Sequence, residues 1–108
     1  MSDTLKAAAH AAIINAASSK DAEHNEAVTL FSSHHLEELE AADLETATGQ
    51  KQPDHKTLLS ALILLDSWED DDTNTTNLDF TLPHDVTHYL LSVQCDASGT
   101  VVSISMES

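Results

Sequence analysis

The spacing of apolar positions changes period once along the chain. Over residues 4–17 (TLKAAAHAAIINAA), Leu5, Ala9, Ala12, Ile13 and Ala16 recur every three to four residues, which gathers them on one face of a helix. The segment has high helix propensity and no breaker, and Asp3 can cap its start. The polar break SSKD follows, with Ser19 or Asp21 available as the next cap.

Residues 22–48 carry two helical stripes, Val28 with Phe31 and then Leu36, Leu39, Leu44 and Ala47. They predict helices over about 22–31 and 34–48, broken at FSSHH and restarted by Ser33 as cap; one bent helix is the alternative. Glu37 and Glu38 then fall in a first turn, where the helix dipole favours acids, and Gly49 suits the C-terminal cap. Pro53 suits a first turn. It opens a helix expected over 53–68, with Leu58, Leu59, Leu62, Ile63 and Leu65 on a wide buried face and Trp68 near its end.

After the polar stretch WEDDDTNTTN the period falls to two, the signature of strands. Strands are expected over about 78–82, 87–95 and 100–106. With PHDV and DASG each read as a four-residue turn, Phe80 faces Tyr89 and Leu78 faces Leu91. The second turn then sets Val93 against Val102, Leu91 against Ile104, and Tyr89 against Met106. Both hairpins place their large apolar side chains on one common face. The other face receives Asp79, Thr81, His88, Ser92, Gln94, Ser103 and Ser105, interrupted by Leu90 and Val101. The expected fold is therefore α+β: three to four N-terminal helices packed on one face of a C-terminal three-stranded antiparallel β-meander, as a single domain over 1–108.

Charge narrows the range of functions. The chain carries 19 acids against 4 bases, a net charge of −15, and no arginine. From Thr57 to Ser108 there are nine acids and no base. Phosphate recognition needs cations to displace counterions and favours the arginine fork, so this balance argues against a nucleic-acid reader and against a binder of anionic membranes. It favours encounter with a basic protein. Acidity that serves only solubility, or a salty or cold habitat, is the plainer explanation. A single Cys95 allows neither an internal disulfide nor a cysteine-built metal site. The start MSDTLK lacks the basic and apolar regions of a secretory signal, and LLSALILL is too short to span a bilayer, so a cytoplasmic location is expected.

Chemistry is sparsely signalled. His84 and His88 are four apart, but in a strand that spacing is about 13 Å, unlike the one-face geometry of a helical zinc motif. His34 and Glu38 could meet on a helix, yet make only half a ligand set. Glu69, Asp70, Asp71 and Asp72 resemble the start of a calcium loop, but Thr75 stands where glycine is needed and Thr81 where the final acid belongs. The acidic run reads by default as a solvated loop, or else as a docking spot for a basic partner. With two glycines in the chain there is no GxSxG elbow and no phosphate loop. Cys95 points to the covered face, as a core residue rather than a nucleophile. No catalytic residue and no cofactor is expected, and an enzyme is unsupported.

The stretch LEAADLETATGQ, the Pro53-led helix and DFTLPHDVTHYLLSVQCDASGTVVSISMES together resemble a family of small bacterial proteins, domain of unknown function two thousand and four. Its most specific parts are THYLLSV (87–93), Asp96 with Gly99, and Met106-Glu107-Ser108. The resemblance covers about residues 36–108 and implies no catalytic residues. Three functions compete: a non-enzymatic interaction or inhibitor protein, immunity-like, for a basic partner; a structural homo-oligomer such as a homodimer; and a histidine-based metal binder.

Overall fold

A computed structural model describes residues 3–16 and 22–107. In chain order these form α1 (Asp3–Ala16), α2 (Ala22–Glu38), α3 (Ala41–Thr48), α4 (His55–Ser60), β1 (Ile63–Asp70), β2 (Thr75–Thr81), β3 (Leu90–Cys95) and β4 (Val101–Glu107). The α+β class stands, with the helices first. The sheet has four strands rather than three, an antiparallel meander in the order β1-β2-β3-β4.

The fourth strand comes from the segment expected to continue the last helix. α4 has only six residues and ends at Ser60. Its cap is Asp54, whose carboxylate accepts from the Thr57 N–H at 2.8 Å, so Pro53 precedes the cap instead of opening the first turn. Beyond Leu62 the chain extends and pairs with β2, placing Leu64 opposite Phe80 and Ser67 opposite Leu78. A dense apolar run satisfies either period. Here the hydrogen bonds available along β2 decide in favour of the strand, and Trp68 lies in β1, not in a helix.

α2 runs unbroken through FSSHH. The break expected there falls at Leu39 and Glu40, and Glu40 caps α3 without a side-chain hydrogen bond. Glu37 and Glu38 thus lie in the last turn of α2, not in a first turn, and Ser33 caps nothing. Gly49 does end α3 in the left-handed conformation (φ 83°), donating its N–H to Glu45 O at 2.7 Å. A Cβ at Gly49 would meet nothing. Gly49→Ala is therefore expected to cost only the left-handed penalty, about 1–2 kcal/mol, read as a small drop in the urea midpoint. Asp3 lies inside α1, and the expected caps Ser19 and Asp21 lie outside the described residues.

The helices cover one face of the sheet. α2 lies across β3 and β4, α1 touches β2 and β4, and α4 touches both α1 and α2. Between the layers sits the core, with Ile13, Val28, Phe31, Leu58, Leu59, Leu78, Phe80, Leu91, Val93 and Cys95 fully enclosed. The common apolar face predicted for the strands is present, but the partners differ. Leu78 pairs with Val93 and Phe80 with Leu91, while Val93 pairs with Ile104 and Leu91 with Met106. These four pairs have each moved by two residues, which keeps their side chains on the expected face; Tyr89, expected opposite Met106, lies before β3.

Two local features cause the shift. β3 begins at Leu90, because the PHDV turn takes His84 and Asp85 through positive φ (63° and 55°) and the Thr81 hydroxyl donates to Tyr89 O at 2.8 Å. In the last hairpin a bulge near Cys95 pairs it with Val101. Val101 therefore packs against the core, and Val102, expected inside, is exposed.

Candidate acidic cleft

The β1–β2 and β3–β4 turns lie side by side at one end of the sheet. With the first turns of α1 they line a cleft of about 600 Å³. Its carboxylates are Glu69, Asp70, Asp71 and Asp96; Asn74, Thr75, Thr76 and Ser98 add polar groups, and Leu5 and Ala8 form an apolar wall. The stretch expected to be a loop is the tip of a hairpin, turning over residues 71–74 with Asn74 left-handed (φ 57°). Asp72 donates its N–H to Asp70 Oδ1 at 3.0 Å.

Asp96 reaches the cleft from the opposite turn. It is an anchor for DASG, accepting from Ser98 N (2.9 Å), Ser98 Oγ (2.6 Å) and Thr100 N (3.0 Å). The Ser98 hydroxyl first, then the Thr100 N–H, hold its carboxyl below the ordinary carboxylate range, so it stays charged in neutral solution. Glu69, Asp70 and Asp71 thus come together with a fourth acid 25 or more positions along the chain. Asp72 belongs to the same turn but does not line the cleft.

The histidine candidates do not converge. His84 and His88 are exposed in the β2–β3 connection. The ring of His34 meets Tyr89 edge-on at 4.8 Å and His35 at 5.2 Å. Among the described residues no group of three or more His, Cys, Asp or Glu side chains is placed to hold a metal ion, and Glu38 joins none.

Three residues with a structural role escaped sequence reasoning. His35 is buried: its Nδ1 lies 2.7 Å from Phe31 O, and its Nε2 2.8 Å from the Thr87 hydroxyl. Ser32 Oγ lies 2.6 Å from His55 Nδ1, a serine–histidine contact. Ser32 is fully buried and also donates to Thr29 O at 3.2 Å. A nucleophile sealed from solvent cannot reach a substrate, so the contact ties α2 to the start of α4. His10, stacked on Phe80 and 2.9 Å from Leu59 O, links α1 to the sheet and α4 in the same way. Their shared signal is a polar residue within an apolar stripe, which sequence alone also permits at a surface. Cys95 is buried as expected, and desolvation followed by the charge of Asp96 pushes its thiol up.

No family model, no curated protein and no solved structure matches the chain. Among the described residues no helix is long and apolar enough to cross a membrane.

Proposed function

We propose that the protein is a non-enzymatic binding module whose acidic cleft docks a basic segment of a partner protein, as an inhibitor or immunity-like protein does. The observation that carries this reading is the convergence of Glu69, Asp70, Asp71 and Asp96 from two turns onto one cleft. Charges gathered in a concave site focus the field that steers a cationic partner.

The test uses a hexalysine peptide titrated into the full chain. Binding is expected at low salt and should be lost at about 0.5 M NaCl, where screening is complete over a few ångströms. Glu69→Gln with Asp71→Asn should weaken binding about 5–30-fold, at roughly 0.5–1 kcal/mol for each exposed charge. Asp70 and Asp96 are left alone because they hold the turns. Equal binding by the double variant would refute the cleft as the docking site.

A further inference from the structure

The sheet face away from the helices has one residue whose chemistry is incomplete. Most polar groups there satisfy one another: Gln94 bridges Thr75 (3.4 Å) and accepts from Ser103 (3.3 Å), and Ser105 donates to Glu107 (3.1 Å). Asp79 is the exception. It sits on an inner strand, half-buried, and its Oδ1 has neither solvent contact nor a hydrogen-bond partner. The residue directly opposite on β1 is Asp66, another acid. Like charges facing each other across strands destabilise a sheet, and a buried oxygen without a donor adds a desolvation cost. The four strands themselves supply no lysine or arginine, since there is none from Thr57 onward.

Beside this pair, β1 is an edge strand with exposed apolar side chains. Trp68 is 46% exposed and Leu65, at the bulge, 59%. Alternation puts Trp68 on the same face as Asp66 and diagonal to Asp79. Two carboxylates next to an accessible indole match the planar, bidentate, stacking chemistry of a guanidinium. Asp66 is exposed, with its Oδ1 accepting from the Ser67 N–H at 2.8 Å. A second copy of this chain is a poor occupant, because it brings the same acids and another charge of −15.

We infer that Asp66, Asp79 and Trp68 on the open face of β1 and β2 form an arginine-binding subsite, where a partner chain places one guanidinium between the two carboxylates and against the indole. The inference rests on the reading of the protein as a binder of a basic partner, and adds a contact on a different face from the cleft. Asp79 is then a residue that costs stability in the free protein and is satisfied in the complex.

The experiment is an NMR titration of the full chain with a capped pentapeptide carrying one arginine between two valines. The largest shifts are expected at the Trp68 indole N–H and the Asp79 amide. Asp79→Asn should bind at least tenfold more weakly while raising the urea midpoint of the free protein, a combination that a structural role would reverse. The lysine version of the peptide should bind several-fold more weakly, and Glu69→Gln with Asp71→Asn should bind within twofold of the parent. Shifts centred on the cleft would overturn the inference and leave the cleft reading intact. It also fails if Asp79→Asn binds unchanged or unfolds more easily, if lysine binds equally, or if sedimentation shows this face closed by a second copy.

Discussion

Replacing Phe31 with alanine is expected to destabilise the protein by about 3–5 kcal/mol, the usual cost of removing an enclosed aromatic ring. Phe31 is fully buried in α2, at the layer between helices and sheet, and its ring lies 4.2 Å from that of His35. The chain has only two phenylalanines, one tyrosine and one tryptophan, and Trp68 is exposed. Few large side chains can collapse into the space Phe31 leaves, which places its cost toward the upper end of that range. A domain of this size holds about 5–15 kcal/mol in all, so the variant should lose a third or more of its stability. Urea unfolding followed by circular dichroism measures it. A loss below about 1.5 kcal/mol would mean that α2 is not seated on the sheet in this way.

Acid is expected to weaken the fold through His35. Burial first, and then the neighbouring charge of His34, hold its pKa below the ordinary value of 6.5, against the opposing effect of the Phe31 carbonyl. With Nδ1 directed at that carbonyl, Nδ1 carries the proton, and Nε2 accepts from the Thr87 hydroxyl. Protonation forces Nε2 to become a donor. The Thr87 hydroxyl must then turn its own hydrogen away from Nε2 and accept there with its second lone pair, beside the Tyr89 N–H it already takes at 3.1 Å. A group that stays neutral when folded contributes stability that is present above pH 6.5 and lost as the pH falls through the depressed folded value. Urea midpoints at pH 7.5, 6.5 and 5.5 should therefore fall in sequence. His35→Leu removes the titration and should flatten that decline. At neutral pH it should cost about 1–3 kcal/mol for the Thr87 hydroxyl left without its partner. An equal decline in both proteins would assign the acid sensitivity elsewhere.

The same residue shows where sequence reasoning stops. His34 and His35 are adjacent in the chain and chemically identical, yet one is buried and bonded at both nitrogens while the other is half-buried against Tyr89. Nothing local distinguishes them, because the partners of His35 outside α2 lie more than fifty positions away. The acidic run Glu69–Asp72 was legible as a candidate docking site. Its fourth carboxylate, Asp96, was not, since only the adjacency of two hairpin turns brings it there. Asp79 could be read as a polar-face residue, but its lack of a partner depends on Asp66, which helical periodicity had assigned to a different element.

What the sequence determined by itself was parity and punctuation. Alternation in LDFTL, LLSVQ and SISM decides which side chains enter the core, because a strand repeats every two residues whatever it pairs with. Gly49 ends α3 because a left-handed cap favours glycine for local steric reasons. The tertiary structure decided the rest. It chose a strand for Ile63–Asp70, where an apolar run fitted either period and the β2 edge supplied the hydrogen bonds. It moved the pairs of Leu78, Phe80, Leu91 and Val93 by two residues, through a turn tied at Thr81, and exchanged the faces of Val101 and Val102 at a bulge near Cys95. It also set two acids face to face on an open sheet, and four around one cleft. These are contacts between distant parts of the chain, and their energies arise only when the layers close.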